Sequence, residues 1–395
     1  MTVTTRQRTL VLALIALTAV LASGSSRART LEVKKNGTKE FSVLQDALSA
    51  AAPGDTVLIH AGAYAKWTER WHGGTFRRAV GFVESGVTII GTSYAAVVRA
   101  PNIVNSVGLY SVTSDSFSVE TLRFQGGLSA GVFGAGGGHS SVDSCLFEDV
   151  ITGVAVGVGG TRAWIRKCEF RDCMGVLVSA YGWAQIRDCV SRNSPGFSDD
   201  ALLVGNGSHA EMFDCTVENG GVVQVNTGSS AVVHDISAVG VRTGALVRDP
   251  GSVLTLERIS FDGLVSEMFV AFGIIVQNDG TLNAHDLSIT NMWRAIQFES
   301  AGQVTLTSSH ILNWDQWAVI SLVANDPPMR SWDLTGNWWG TTDSTAIADA
   351  IWDGEDDQAL NEYGIVDFWP IAPGPVPTRE DRVGSLKAMY LPRRK

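Results

Sequence analysis

Charge is scarce in this chain: Asp, Glu, Lys and Arg together make up 18% of the 395 residues, too few for a solvated, disordered polymer. Cationic charge is scarcer still, with 30 Lys and Arg against 40 Asp and Glu and a formal net charge of −10. An acidic chain is repelled by nucleic acid, which argues against a nucleic-acid partner. Metal-ligand spacing is missing among the seven histidines. There is no His-Glu-x-x-His, no Cys-x-x-Cys pair and no phosphate-cradling loop; Gly136-Gly-Gly reads as a turn. The one long apolar run, Leu10 to Ala22, is too short to span a bilayer comfortably.

That run follows Arg6 and Arg8 and precedes the small residues Ser23, Gly24, Ser26 and Ala28. This is the layout of a secretory signal over residues 1–28, the alternative being a retained anchor helix. Its loss would remove three arginines and take the charge from −10 to −13. The mature chain is then expected in the medium, the periplasm or at the cell surface. No feature calls for a second copy, so a monomer is expected.

What the chain does have is a repeat. Cys145, Cys168, Cys189 and Cys215 stand in similar surroundings at steps of 23, 21 and 26 residues, and Ile236, Ile259, Leu287 and Ser309 continue the series. A period of this length in short-strand sequence predicts a stacked β-solenoid. Three residues before the slot the side chain is apolar (Val142, Ile165, Ile186, Met212), whereas two before it is polar or mixed (Asp143, Arg166, Arg187). Strand alternation cannot carry both, so each rung must bend next to the slot. Asp188, Asp214, Asp235 and Asp286 at the bend fit a tight corner. A third strand follows, as in Gly175-Val-Leu-Val and Gly244-Ala-Leu-Val. Three short strands per rung make an all-β parallel β-helix. The four slot cysteines read as stacked core thiols or as bridges, and Cys173 as free or paired with Cys168.

Two longer connections, 191–200 and 263–272, enter between the second and third strands and leave the solenoid at one corner, where repeat proteins commonly build a binding face. Phe41 to Ala52 predicts a capping helix, and Asp343 to Asp353 a second one. Residues 373–395 read as a disordered tail or linker.

The stretch from Phe41-Ser-Val-Leu-Gln-Asp through Pro53-Gly54-Asp55 to Ala63-Tyr64 resembles the capping helix and first strand of pectin-lyase-like right-handed parallel β-helix proteins. Gly336-Asn-Trp-Trp-Gly-Thr-Thr-Asp and Ile365-Val-Asp-Phe-Trp-Pro resemble the terminal segment of bacterial members. The resemblance covers residues 29–372, with caps at 41–52 and 336–372, and implies a right-handed parallel β-helix. It also implies that a polysaccharide lies on the outer face of the third strand. Ser198-Asp199-Asp200 resembles the paired aspartates of polygalacturonase-type glycosidases, which would make Asp199 and Asp200 an acid–base pair. The Gly-His-Gly and Arg-Ile-Lys of that group are absent, so a polar loop end is the competing reading.

On the third strand, Gln224, Arg248, Gln277 and Gln297 read as a polar column, with Asn226, Asp249, Asn278 and Glu299 nearby. These groups suit a sugar chain or an ordinary solvated face. On the first strand, Trp164 with Arg166 and Arg187 would suit an acidic glycan, since Trp stacks on sugar rings and Arg grips carboxylates. Arg162, Lys167, Arg171 and Arg192 add to that basic density. The aspartate column Asp188, Asp214 and Asp235 would suit Ca²⁺, or simply turns the corner. The sequence thus points to a carbohydrate-interacting protein, binding or cleaving, with Asp199, Asp200 and Arg248 the first catalytic candidates. The rival is a non-catalytic envelope, adhesion or docking solenoid.

Overall fold

The computed structural model describes residues 27–72, 75–99, 106–112, 115–193, 200–263, 270–299, 302–322, 331–354, 356 and 364–375. The N-terminal segment up to residue 26, Asp199 and the segment from residue 376 lie outside the described residues.

The slot spacing becomes a stack of about 12 turns. In one rung, Arg162–Arg166, Glu169–Arg171 and Met174–Val178 are the first, second and third strands. Each pairs in parallel with its counterpart on the next rung: Ile165 faces Ile186, Phe170 faces Ser191 and Val176 faces Leu202. The chain is a right-handed parallel β-helix. Its first strands form one continuous sheet, its second and third strands another.

Left-handed backbone makes the corners. Ser144, Lys167, Asp188, Asp214, Asp235, Arg258 and Asp286, one residue before the slot, have φ from 52° to 60°. A second left-handed column, Asp149, Asp172, Asn193, Asn219 and Asn291, stands four residues after the slot with φ from 52° to 56°. Asn and Asp tolerate this region better than other side-chain-bearing residues. The Asn219 amide also donates to Asn193 Oδ1 at 3.1 Å, tying adjacent rungs. The presence of Lys167 and Arg258 in the first column shows that the backbone imposes the bend there.

None of the five cysteines is in a disulfide, and all are buried. The slot thiols do more than fill space. The backbone N–H of Cys168 donates to Cys189 Sγ and that of Cys189 to Cys215 Sγ, both at 3.4 Å. Further along, Leu287 N donates to Ser309 Oγ at 3.1 Å and Ser309 N to Asn337 Oδ1 at 2.9 Å. A bend at the preceding residue takes this N–H out of regular strand pairing. A buried N–H needs a partner, and in these four rungs the slot side chain on the next rung supplies it. Burial pushes the Cys168 thiol up, away from thiolate chemistry.

The rest of the interior is a stack of like residues. Phe124, Phe147 and Phe170 stack with ring centroids 5.0 and 5.1 Å apart. The third strand opens on glycine to make room for them, since a Cβ at Gly153 would lie 2.4 Å from the Phe170 ring.

The N-terminal cap is the helix Leu44–Ala50, which buries Leu44, Gln45, Ala47 and Leu48. Gln45 Oε1 accepts a hydrogen bond from Phe82 N at 2.7 Å, closing an end-rung donor. The C-terminal helix is shorter than its sequence suggests. It spans Ser344–Ala348 behind an Asp343 N-cap, because Ile351–Trp352 leaves the helix to pair with Val319 and Ile320 as one more rung. Asn337 is fully buried, and its Nδ2 donates to Leu306 and Leu334 carbonyls at 2.7 and 2.8 Å. The Gly336-Asn-Trp-Trp motif is thus the last member of the slot column. Among the described residues no helix is long and apolar enough to cross a membrane.

One element has no counterpart in the sequence reading. Strand Thr68–His72 pairs antiparallel with Thr75–Val83, whose second half is the third strand of an early rung.

Candidate functional site: the outer face of the third strand

The strand register sorts the outward residues of the third strand into columns. Asp200, Gly221, Thr243, Phe272 and Arg294 stand in one. Leu203, Gln224, Leu246, Ile275, Gln297 and Ile320 form the next. Two residues further on, Arg248 faces Gln277. Gln224, Arg248, Gln277 and Gln297 are therefore not one column, as their sequence positions suggest. They divide between two, and Leu246 and Ile275 separate Gln224 from Gln297. The face is mixed, with polar groups at two levels of an apolar stripe. The variable lengths of the connections hid this offset.

The lower polar level is built around Gln224, which is 7% exposed. With its amide oriented to satisfy both atoms, Nε2 donates to Asp200 Oδ2 at 3.3 Å, while Oε1 accepts from Asn226 Nδ2 at 3.2 Å and Arg248 Nη2 at 3.1 Å. The structure thus gathers four of the sequence candidates. Asp200 is 3% exposed, and the absence of a side chain at Gly221 makes room for it, since a Cβ there would lie 1.9 Å from Oδ1. Arg248 Nε is buried with no partner among the described residues. Asp249 turns away, its carboxylate accepting from Thr227 N at 3.1 Å in the following corner.

The upper level centres on Arg294, a residue the sequence reading passed over. Nη1 donates to Gln297 Oε1 at 2.8 Å and Nε to Gln316 Oε1 at 2.7 Å. Its guanidinium lies 4.0 Å from the centroid of the Trp293 ring, and Trp293 meets Phe272 edge-on at 5.4 Å. Trp317 stands opposite Arg294 on the following rung and packs edge-on against Trp352 at 5.2 Å. Glu299 accepts from Gln277 Nε2 at 2.6 Å and from Gln297 Nε2. Among the described residues Arg294 forms no ion pair; burial lowers its pKa from the usual arginine value, while the Glu299 carboxylate, joined to it through Gln297, acts weakly the other way. A desolvated guanidinium with amide acceptors and aromatic neighbours is suited to receive an anion. The sequence signal was the run Trp293-Arg294 before Ala295. It was missed because Ser288–Phe298 is one unbroken strand, with no turn marking where the third face begins.

No family model matches the chain, and no curated protein is similar to it. Among solved structures it is similar to an alginate lyase from Paenibacillus sp. str. FPU-7, with a TM-score of 0.49 and 14% identity over 65% of this chain and 93% of that one. It is also similar to a tailspike protein of E. coli bacteriophage HK620 in complex with pentasaccharide, with a TM-score of 0.47 and 14% identity over 74% and 60% of the two chains. A third likeness is to the DFA-IIIase of Arthrobacter chlorophenolicus A6, with a TM-score of 0.43 and 12% identity over 87% and 100%. Likenesses at these scores leave the architecture to be read from the strand pairing. The register described above decides it. The fold is a parallel β-helix.

In this β-helix the remaining candidates lie elsewhere. Trp164 is half-buried on the first face, edge-on to His139 at 5.3 Å and Trp183 at 5.4 Å, beside a shallow depression of about 350 Å³. Its arginines are engaged: Arg166 with Asp143 at 3.0 Å, and Arg187 with Asp188 at 3.2 Å and over the Phe213 ring at 5.3 Å. Arg171 and Arg192 lie across the corner on the second face. There Glu169 takes both, Arg171 Nε at 2.8 Å, and Arg192 also holds Glu218 at 2.9 Å. Those guanidinium groups hold the Glu169 carboxyl below its usual range.

The corner aspartates are matched by arginines as well. Arg187 lies 3.9 Å from Asp214, and Arg258 clasps Asp235 through Nε at 2.9 Å and Nη2 at 3.1 Å. These side chains supply the positive charge for which the sequence invites Ca²⁺. Among the described residues no three His, Cys, Asp or Glu groups converge as a metal site. The other aspartate of that expected pair, Asp199, and residues 194–199 and 264–269 of the long connections lie outside the described residues. The strands flanking them, ending at Arg192 and Gly263 and resuming at Asp200 and Phe272, meet the third face at one column.

Proposed function

We propose that this chain is an exported glycan-binding solenoid that takes an acidic polysaccharide along the outer face of its third strand. The observation that carries the reading is Arg294, a half-buried guanidinium without a carboxylate partner among the described residues, set against Trp293 and between two glutamine amides. Phe272, Trp293, Trp317 and Trp352 offer apolar ring surface beside it for sugar faces. Gln277, Gln297 and Glu299 can hydrogen-bond hydroxyls. Gln224, Asn226, Arg248 and Asp200 extend the polar surface further down the strand stack.

Binding is favoured over cleavage by the carboxylates. Asp200 is locked under Gln224, and Glu299 stands several rungs away, so these two do not flank one glycosidic bond. Asp199, Asp200 and Arg248 remain the groups to test for cleavage.

The test is a panel of neutral and uronate-containing polysaccharides on the mature protein, with and without Ca²⁺. Binding is read beside reducing ends and unsaturated-product absorbance. Binding of acidic chains that Arg294→Ala weakens supports the reading. Cleavage lost in Asp200→Asn would make the protein an enzyme. No binding across the panel leaves the docking solenoid.

A further inference from the structure

Arg248 and Arg294 stand in different columns of the third face, yet their heads meet the column between. Arg294 reaches it from one side, Nη1 donating to Gln297 Oε1 at 2.8 Å. Arg248 reaches it from the other, Nη2 donating to Gln224 Oε1 at 3.1 Å. Gln224 and Gln297 are three rungs apart in that middle column, with Leu246 and Ile275 between them. Strands stack at about 4.8 Å, so the two held guanidinium groups are set about 14 Å apart along the solenoid axis.

The amides are holders rather than the ligand surface. Gln224 and Gln297 are buried, whereas Arg248 and Arg294 are half-buried above them. An amide oxygen fixes a guanidinium without cancelling its charge. Among the described residues Arg294 spends Nη1 and Nε on amides, and Arg248 spends Nη2 on one. Each guanidinium keeps further N–H donors for an anion.

Between the two anchors the surface differs in kind. Leu246 and Ile275 are apolar, and the Glu299 carboxylate stands beside this stretch, accepting from Gln277 Nε2 at 2.6 Å and from Gln297 Nε2. A carboxylate there repels a second anion and accepts from a hydroxyl. Beyond the lower anchor stands another, Asp200, with its Oδ2 held by Gln224 Nε2 at 3.3 Å. A polymer that is acidic at every sugar must therefore set carboxylates against Leu246, Ile275 and Glu299 for each one it places on an arginine. Charge pressed against apolar groups without a partner is penalised, and like charges brought together discriminate against the wrong ligand. A chain with acidic groups farther apart meets each level with matching chemistry. Its carboxylates fall on the guanidinium groups, sugar C–H faces on Leu246 and Ile275, and hydroxyls on Glu299.

We propose that the third face selects a heteropolysaccharide whose acidic sugars are separated by neutral ones, at an interval of about 14 Å or more, and lies along the solenoid axis from Gln224 to Gln297. This rests on the glycan reading above and narrows it, since a homopolymer of uronates becomes a poor ligand.

The test is calorimetry of the mature protein with oligosaccharides of matched length. They are oligogalacturonate, acidic at each sugar, hyaluronate, acidic at alternate sugars, and gellan fragments, whose repeat carries a single glucuronate among neutral sugars. Carboxyl-reduced gellan is the uncharged control. Gellan should bind roughly tenfold or more tighter than oligogalacturonate, with hyaluronate between them and the reduced form weakest. Arg248→Ala and Arg294→Ala should each weaken gellan binding about tenfold, and together about a hundredfold. Glu299→Gln should narrow the selectivity by raising oligogalacturonate affinity roughly threefold. Glu299 is exposed, so this variant should keep the wild-type melting curve and probes the spacing even where an arginine variant fails to fold. Oligogalacturonate binding as tight as gellan binding, and dependent on Arg294, would overturn the spacing while the glycan reading stands. Gellan binding that is indifferent to Arg248→Ala, or undiminished by carboxyl reduction, would overturn it too. If none of the oligosaccharides binds, the glycan reading falls and this inference with it.

Discussion

The second and third strands of every rung differ by one corner, yet their outer faces have opposite electrostatic characters. On the second face charges close on one another from rung to rung: Arg123 on Glu148, Glu169 on Arg171 and Arg192, Arg192 on Glu218. On the third face Arg248 and Arg294 meet amides, and neither has a carboxylate at ion-pair distance among the described residues. A face whose charges are mutually satisfied presents little to a ligand, and surface ion pairs of this kind add modestly to stability. A face that desolvates guanidinium groups without neutralising them gives up stability and retains affinity for an anion. The lesson is that local charge density, which draws the eye to the Arg-rich rungs in the sequence, is a poorer guide to a site than unspent charge.

The widest expected gap is in binding. Arg294→Ala should weaken acidic-polysaccharide binding ten- to hundredfold, about 1.4–2.8 kcal/mol, and Arg192→Ala should leave it unchanged, both read by calorimetry. Equal losses would erase the contrast between the faces. Next comes the converse in stability. Glu169→Gln strips the second face of its shared carboxylate and should cost about 1 kcal/mol in urea denaturation after solvent screening, with binding intact.

Acid sharpens the same point. The guanidinium of Arg171, then that of Arg192, lowers the Glu169 pKa below its usual 4.5, so its stabilising contribution is full above that value. The contribution is lost as pH falls through the lowered folded value. The wild type should therefore lose its advantage over Glu169→Gln below about pH 4.5, and a constant difference down to pH 2 would refute the pairing. Asp55, held by Arg29 to about 2 from 3.8, adds a second loss at the N-terminal cap within that lower window. The smallest effect is at a corner that belongs to neither face's chemistry. Asn219→Ala, at φ 56°, should cost about 0.5 kcal/mol with no change in binding.

How much of this was legible depended on how local the signal was. The bend before Cys168 and Cys189 is written into a phase break within four residues, and it is found there. The inward set Ile165, Ile186 and Met212 follows from the same pattern. The second corner carried an equally local signal, Asn193 above Asn219, but its Asn and Asp residues resemble any loop. Register on the third strand was not legible, because it depends on connection lengths rather than on any one residue. A two-residue offset therefore parted Gln224 from Arg248 while still letting their side chains meet. The hairpin had its mark in Gly73-Gly74 between Trp71 and Phe76, a two-residue turn signal in a stretch without the cysteine slot. Asp200 was legible as a strand start, but its burial beneath Gln224 was not, since that is a contact between rungs.

The slot hydrogen bonds run in one direction: the N–H of Cys168 waits for Cys189, that of Cys189 for Cys215, and that of Ser309 for Asn337. A ribosome delivers these residues in the same order. Each of these rungs therefore stays one bond short until its successor emerges. The series is completed only when Asn337, which takes its own donors to Leu306 and Leu334, has been made. A chain cut short just after Cys168, Cys189, Leu287 or Ser309 would end on an unmet donor in its core.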